Sequence, residues 1–297
     1  MKPKRLLLGI FVMSLFWACV KNSTPVPPVH DTVTVHKTDT LIKTDTLHKT
    51  DTLFKGLDTP NLKNGLLLYL PFNGSFADSS GNGNMVTTVG GAALDYDMHG
   101  YAQSAFNSTG SGARVFVTNN GSIKFDTSFT LSFDIMTRSV LLQDIISMVQ
   151  NTNGQGVTFV AGILGGANNI DLTVMDSTAT CSDIITPGVN CLIDTAKITI
   201  QPQSWYNVVD IFHKGTTMIY VNGVLVATAH GANSTVPICA SAKIIVGGWW
   251  DGDPTNLNGK LDEVRLYNRT LNNKEIAWLA RNFQPGSTKV KPGIQTR

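Results

Sequence analysis

Alternation of apolar and polar residues with a period of two is the feature that most constrains the fold of this chain. In residues 113–118 and 129–136, apolar side chains occupy every second position. Successive side chains of an extended strand point to opposite faces, so each such segment has one apolar face to bury. Asn222-Gly223 separates two further alternating runs, and both residues tolerate the positive φ of a type I′ turn. Further strands are predicted at 144–149, 157–163, 169–175, 205–212, 217–228, 242–246 and 260–267.

Two segments almost two hundred residues apart are predicted to pair. Residues 65–84 form an apolar strand that ends in Pro and continues into a loop rich in Gly, Asn and Asp, and residues 257–269 form a second strand. We interpret them as the opening and closing strands of one all-β, two-sheet antiparallel sandwich. A sandwich of more than two hundred residues is often a single domain. We therefore expect one domain over 63–283, followed by a flexible tail at 284–297.

The N-terminal segment predicts export. Lys2, Lys4 and Arg5 precede an apolar run at 6–17 that is too short to span a bilayer comfortably. The formal charge of the chain is +2, and removal of these three cations leaves −1. A near-neutral protein lacks the basic surface of a nucleic-acid-binding protein.

Residues 15–19, Leu-Phe-Trp-Ala-Cys, resemble the lipobox of bacterial lipoproteins, although Phe and Trp are bulkier than the usual residues. The resemblance implies a signal peptide at 1–18 and a lipid-modified Cys19. The alternative is an ordinary secretory signal with an incidental cysteine. Val20 is not the Asp that signals inner-membrane retention, so we expect an outer-membrane lipoprotein that faces the periplasm or the exterior.

A linker is predicted at 19–62, because this stretch is polar, Pro-rich at its start and repetitive. Lys-Thr-Asp-Thr-Leu recurs every six residues from Lys37. This repetitive segment has too little apolar surface to fold alone, and it suits a stalk. Asp-Thr followed by an aliphatic residue resembles the acceptor of a periplasmic O-glycosylation system. That resemblance implies modification of Thr32, Thr40, Thr46 and Thr52.

One helix is predicted, at 273–281. Asn272 is a suitable N-cap, and Glu275 three residues later can accept a hydrogen bond from the backbone N–H of the cap residue. Leu271 and Ile276 have the spacing of a hydrophobic staple.

Three motifs in the order of the chain resemble laminin-G-like, concanavalin A-type jelly-roll domains. They are Gly-Leu-Leu-Leu-Tyr-Leu-Pro-Phe-Asn-Gly with Asp-Ser-Ser-Gly-Asn-Gly-Asn at 65–84, Ser-Trp-Tyr-Asn-Val-Val running into Met-Ile-Tyr-Val-Asn-Gly at 204–223, and Asn-Gly-Lys-Leu-Asp-Glu-Val-Arg-Leu-Tyr-Asn-Arg at 258–269. The resemblance covers roughly 63–283 and implies two curved sheets with one short C-terminal helix. It does not determine function, since the superfamily includes lectins, adhesion domains and glycoside hydrolases.

A calcium site is predicted from the loop at 73–84, whose carboxylate and amide oxygens suit a hard cation. Domains of this type often hold a calcium where this loop meets the closing strand. The resemblance therefore implies a structural calcium held by Asp78, Asn84 and Asp262. The alternative is that Asp78 and Ser80 cap a turn with side-chain hydrogen bonds.

A ligand-binding surface is predicted at 247–258, where two adjacent tryptophans stand among short polar side chains. Aromatic faces beside planar polar groups suit sugars. The candidate binding residues are Trp249, Trp250, Asp251, Asp253 and Asn256. The alternative is that both rings belong to the core or its rim.

Export permits disulfides. Cys181 and Cys191 flank Pro187-Gly188, a turn signal, so we predict that they pair and that Cys239 is a buried thiol. Pairing of Cys239 with either of the other two is the alternative.

Catalytic residues are not recognisable. A retaining glycosidase needs two carboxylates about 5–5.5 Å apart, and no strand carries acids at alternating positions of the required kind. The histidines lie without a nucleophile elbow, and no phosphate-binding or zinc motif occurs. We predict a non-catalytic module that binds carbohydrate. The alternatives are an adhesion module that binds a cell-envelope or extracellular protein, a glycan hydrolase with unrecognised acids, and an envelope scaffold.

Overall fold

The computed structural model describes residues 59–150, 153–164, 169–187, 189–231 and 233–283. Cys19, the repeats and the four candidate threonines lie outside this part of the chain, as do residues 1–58 and 284–297 generally. The described residues form fifteen strands and one short α-helix, and every strand pairing between them is antiparallel. The prediction of an all-β jelly-roll sandwich is confirmed.

The strands form two sheets. The eight-stranded sheet contains β1 (Leu66–Leu70), β3 (Ala93–Asp95), β4 (Ala105–Thr109), β6 (Ser128–Thr137), β11 (Trp205–His213), β12 (Thr216–Val221), β13 (Val224–His230) and β15 (Asn258–Tyr267). The seven-stranded sheet contains β2 (Met85–Val89), β5 (Arg114–Thr118), β7 (Gln143–Val149), β8 (Val157–Leu164), β9 (Asn169–Met175), β10 (Cys191–Thr195) and β14 (Lys243–Val246). The first sheet runs in the order β13-β12-β11-β6-β15-β4-β3, with β1 beside β15, and the second in the order β10-β9-β8-β7-β14-β5-β2.

The opening and closing strands pair as predicted. Leu66 lies opposite Tyr267, and Leu70 lies opposite Val264. β4 pairs with the first half of β15, and β1 pairs with its second half. Two short strands distant in sequence thus share one long partner, which brings the two ends of the domain together.

The main core lies between the sheets and is rich in aromatic rings. The ring of Phe129 stacks on those of Phe159 and Phe212, with centroids 5.0 and 5.7 Å away. A second apolar cluster lies where the helix covers the eight-stranded sheet, and it contains Val209, Ile211 and Tyr267. A third lies on the outer face of the seven-stranded sheet, beneath the segment between β9 and β10.

The hairpin between β12 and β13 turns at Asn222 and Gly223, as predicted. Their φ angles are +51° and +80°, the positive values that a type I′ turn requires at both positions.

The helix α1 (Asn273–Leu279) begins as predicted and ends two residues earlier, because a 3₁₀ turn at Ala280–Phe283 replaces its last turn. Asn272 Oδ1 accepts hydrogen bonds from the backbone N–H groups of Lys274 and Glu275. Glu275 Oε2 accepts one from Asn272 N at 2.8 Å, which completes the capping box. Leu271 and Ile276 are buried in the same cluster. No helix in the described part of the chain is long and apolar enough to cross a membrane.

The predicted disulfide between Cys181 and Cys191 is wrong. Cys181 pairs with Cys239, and their Cα atoms lie 5.7 Å apart. The reason is that Cys191 is the first residue of β10 and is aligned with Met175 on β9, so the sheet fixes its position. The bridge instead joins the segment between β9 and β10 to the segment that precedes β14.

Candidate functional site

The predicted ligand-binding loop connects β14 to β15 at one end of the sandwich. It begins at Gly247, whose φ is +96° and whose Cβ, if present, would lie 2.9 Å from the carbonyl oxygen of Ala113. Only glycine fits there without a backbone shift. The chain then leaves the sheet and carries the two tryptophans.

The rings of Trp249 and Trp250 contact each other edge to face, with centroids 4.7 Å apart. Both side chains are half-buried. Trp249 packs against the outer apolar cluster of the seven-stranded sheet. A Cβ at Gly154 would lie 3.5 Å from the Trp250 ring and 3.6 Å from the Trp249 ring, so the loop between β7 and β8 packs on both rings. The two tryptophans thus form one aromatic unit that is part scaffold and part surface.

Asp253 organises this loop from inside. Its side chain is 2% exposed, and its Oδ2 accepts a hydrogen bond from Trp249 N at 2.8 Å. Its Oδ1 accepts hydrogen bonds from Thr255 N at 2.8 Å and from Thr255 Oγ1 at 2.6 Å. The carboxylate that the sequence assigned to ligand binding therefore holds the backbone of Trp249 in place.

Asn256 is also turned inward. Its Nδ2 donates to the carbonyl oxygen of Asp253, and its Oδ1 is buried without a hydrogen-bond partner among the described residues. Asp251, by contrast, is exposed. Of the five predicted binding residues, Asp251 is exposed and the two tryptophans are half-buried, whereas Asp253 and Asn256 are buried.

Three residues that the sequence did not single out support the loop. Arg114 on β5 donates through Nη1 to the carbonyl oxygen of Trp250, and its Nη2 lies 4.0 Å from Asp251 Oδ1. Ser147 Oγ donates to the carbonyl oxygen of Trp249 at 2.8 Å. Asp144 accepts a hydrogen bond from Thr255 Oγ1. The sequence held one signal for these residues: Arg114 and Asp144 are charged residues in strands that are otherwise mostly apolar.

The electrostatics of the loop depend on the pair formed by Asp144 and Asp253. Burial is the main cause that raises the pKa of Asp144 well above its usual value, and the neighbouring charge of Asp253 raises it further. Both causes favour the neutral form of the Asp144 side chain.

Of the predicted calcium ligands, Asp78 and Asn84 lie in the loop between β1 and β2 and bond to each other, whereas Asp262 lies on β15 and bonds elsewhere. Asp78 Oδ1 accepts from Tyr69 N and Ser80 N, and Oδ2 accepts from Ser80 Oγ and from the backbone and side-chain amides of Asn84. Asp262 Oδ1 accepts from Glu263 N. These bonds match the turn-capping alternative, and a cation at Asp78 would have to displace them. Among the described residues, no three acidic, His or Cys side chains are grouped so as to hold a metal ion.

Two antiparallel sheets in jelly-roll connection, with an aromatic loop at one end, define a lectin-type β-sandwich. The family model described as the concanavalin A-like lectin/glucanases superfamily, Laminin_G_3, matches residues 108–277, and the chain belongs to this superfamily. No curated protein matches the sequence.

Solved structures confirm the fold. Domain 4 of the extracellular arabinanase AbnA of Geobacillus stearothermophilus, in complex with arabinotriose, is 17% identical with a TM-score of 0.53, over 72% of this chain and 98% of that one. The binding domain of Paraclostridial Mosquitocidal Protein 1 is 18% identical with a TM-score of 0.57, over 74% of this chain and 53% of that one.

The binding domain of botulinum neurotoxin DC in complex with SialylT is 20% identical with a TM-score of 0.54, over 75% of this chain and 52% of that one. The chain thus spans about half the length of the toxin domains that it matches. At these identities the likeness establishes the fold alone.

Proposed function

We propose that this protein is the non-catalytic, carbohydrate-binding part of a cell-envelope lipoprotein. The observation that carries the proposal is the edge-to-face pair of Trp249 and Trp250, half-exposed on a loop whose backbone is held from inside by Asp253. A sugar can stack one C–H face on the half-buried Trp250 ring, and its hydroxyls can bond to the exposed Asp251.

Rigidity of the loop supports this proposal. Hydrogen bonds from Arg114, Ser147 and Thr255 fix the loop before any ligand arrives. Binding to a pre-formed aromatic surface loses less conformational entropy than binding to a mobile one. The arabinanase domain in complex with arabinotriose and the toxin domain in complex with SialylT are compatible with a sugar ligand on this fold.

The proposed location in the cell envelope rests on the sequence alone. A lipid on Cys19, a stalk over 19–62, glycans on its threonines and an outer-membrane location are parts of the proposal that the leader and the repeats support. Calcium at Asp78, Asn84 and Asp262 stays a prediction, and binding through the Trp loop does not depend on it.

Burial of the paired carboxylates favours binding over catalysis. Asp134 and Asp262 lie opposite each other on β6 and β15, but each is only 6% exposed. Asp144 and Asp253 contact each other at the base of the Trp loop and bond to Thr255. A glycosidase must present one acid to the glycosidic oxygen and another to the sugar ring. Neither pair presents two accessible carboxyls.

A protein partner is the second candidate, favoured by two exposed apolar side chains. Ile184 and Val189 are 53% and 76% exposed on the segment between β9 and β10. This segment bonds to the loop between β7 and β8, where Gly156 N donates to the carbonyl oxygen of Asp183 at 2.9 Å. Exposed apolar side chains of this kind suit a protein ligand.

A comparison of two surface variants tests the proposal. The full chain is applied to a glycan array, and sugars that bind are titrated by calorimetry against Trp250→Ala and against Ile184→Ala/Val189→Ala. We expect Trp250→Ala to weaken sugar binding about tenfold and the other variant to leave it unchanged. An array without any binding, together with a protein captured through Ile184 and Val189, would replace the sugar proposal by the protein one.

A further inference from the structure

A second aromatic surface lies on the loop at 96–103, between β3 and β4 at the edge of the eight-stranded sheet. Tyr96 is 58% exposed and Tyr101 is 48% exposed. The ring of His99 lies 6.3 Å from that of Tyr101. The proposed function makes no use of these three rings.

One carboxylate holds this loop in shape. Asp97 is 6% exposed, and its Oδ1 accepts hydrogen bonds from His99 N at 2.9 Å and from Tyr101 N at 2.8 Å. The backbone of Asp97 also bonds to Tyr101 and to Gly100. Ser104 N donates to the carbonyl oxygen of Asp95 at 2.9 Å and closes the loop. The tyrosines are therefore carried on a fixed backbone.

An ion pair lies beside Tyr96. Lys260 on β15 donates through Nζ to the carbonyl oxygen of Tyr96 at 3.0 Å and to Asp95 Oδ2 at 2.9 Å. The hydrogen bond from Lys260 is the main cause that lowers the pKa of Asp95 below its usual value, so this carboxyl is ionised near neutral pH. The other large exposed apolar side chains of the described residues lie elsewhere, at Met85, Leu141, Ile184, Val189 and Val224.

We propose that Tyr96 and Tyr101 form a second sugar-binding site, separate from the Trp loop. Exposed tyrosine rings on a rigid backbone give contact area with little entropy to lose, and the ion pair of Asp95 and Lys260 offers both an acceptor and a donor to hydroxyl groups. A protein-binding surface would need further apolar side chains beside the rings, whereas the ion pair of Asp95 and Lys260 lies beside Tyr96.

The register of the sheet separates the two sites. The Trp loop ends at Asn258, which lies opposite Thr109 on β4, whereas the Tyr loop adjoins Asp95, which lies opposite Ala105. The four steps from Thr109 to Ala105 correspond to about 13 Å along the strand. A substitution in one loop therefore leaves the contacts of the other intact.

Affinity electrophoresis tests the second site. The full chain is run through gels that contain soluble arabinan, xylan, mixed-linkage glucan or mucin, alongside Tyr96→Ala/Tyr101→Ala, Tyr96→Phe/Tyr101→Phe and Trp250→Ala. Leu141→Ala/Val224→Ala, which removes two apolar side chains that are 71% and 62% exposed, is the matched control. We expect the alanine variant of the tyrosines to bind about fivefold or more weakly, and the phenylalanine variant to bind within about twofold of the wild type.

Three results would overturn the second site. They are wild-type affinity in the tyrosine-to-alanine variant, an equal loss in the Leu141 and Val224 control, and no retardation of the wild type in any gel. Retardation that Trp250→Ala abolishes and the tyrosine variants leave unchanged would reject this site and retain the Trp loop. Equal thermal midpoints of the variants establish that each is folded.

Discussion

Asp134 shows how burial alone gives a residue a pH-dependent effect on stability. Burial raises its pKa to about 7, against a lowering contribution from the hydrogen bond that Asn207 Nδ2 donates at 2.7 Å. Burial also raises the pKa of Asp262, which lies opposite on β15, well above its usual value. A raised pKa in the folded state means that the folded protein retains a proton that the unfolded chain releases. Its stability therefore falls as the pH rises from about 4 to about 7.

Asp134→Asn should remove part of this fall, because the amide stays neutral at every pH and can still accept the hydrogen bond from Asn207. Relative to the wild type, we expect the variant to gain on the order of 1–3 kcal/mol between pH 4 and pH 8. The free energy of unfolding in urea at each pH measures this gain. Asp251→Asn, on the exposed loop, is the control. Parallel pH curves for the wild type and Asp134→Asn would contradict the expectation.

The bridge between Cys181 and Cys239 closes a loop of 58 residues. A disulfide that closes a loop of this length restricts the unfolded chain. Cys181→Ala/Cys239→Ala should therefore lower the free energy of unfolding by about 2–4 kcal/mol. Cys191→Ala leaves the bridge intact and should lose less. Thermal and chemical unfolding measure both losses, and peptide mapping of the oxidised protein identifies the bridge. A peptide that links Cys181 to Cys191 would show that the bridge is assigned to the wrong partner.

The cysteine pairing could not be predicted from local sequence, because the turn at Pro187 is compatible with either partner. Which cysteine pairs with Cys181 depends on where the segment between β9 and β10 crosses the sheet, and that course is set by residues distant in the sequence. Asp253 and Asn256 pose the same difficulty. Their residue types suit a ligand, but the course of the loop directs both inward. The adjacent tryptophans were a sufficient signal for the loop itself.

Elements set by local chemistry were predictable, and elements set by their neighbours were not. The hairpin at Asn222-Gly223 and the cap at Asn272 follow from residues within one turn of each other. β2 and β10 lack a clear alternation, and neither they nor β3 and β4 were predicted. β2 is an edge strand formed by pairing with β5, and β10 is formed by pairing with β9.

Asn272→Ala should destabilise the protein by about 1 kcal/mol, because two backbone N–H groups of α1 lose their acceptor. The neighbouring Asn273→Ala, at an exposed position inside the helix, is the matched control and should change stability little. Urea unfolding of both variants measures the difference. Equal losses would show that the capping box contributes nothing beyond the helix propensity of these positions.

The described domain begins at the end of the sandwich away from the Trp loop. That loop precedes Asn258 at the start of β15, whereas Arg269, just beyond the end of β15, donates through Nε to the carbonyl oxygen of Asn64. The ten residues of the strand separate these two points by about 30 Å. With the lipid on Cys19 that the sequence predicts, the stalk would enter the domain at the end opposite the proposed sugar site. In this arrangement the sugar site points away from the membrane, so its ligand would lie beyond the membrane surface and not on it.

Closure of the sandwich by β1 gives the last prediction. Residues 66–70 cover the second half of β15, and Leu68 and Leu70 are fully buried. Removal of residues 1–58 should leave the thermal midpoint of the domain unchanged, since the sequence predicts only a leader and a linker there. Removal of residues 1–70 should abolish the cooperative transition, because β15 loses a partner and the core is opened. Calorimetry of both truncated chains compares them. A cooperative transition in the shorter chain would mean that β4 and β6 alone suffice to hold the closing strand.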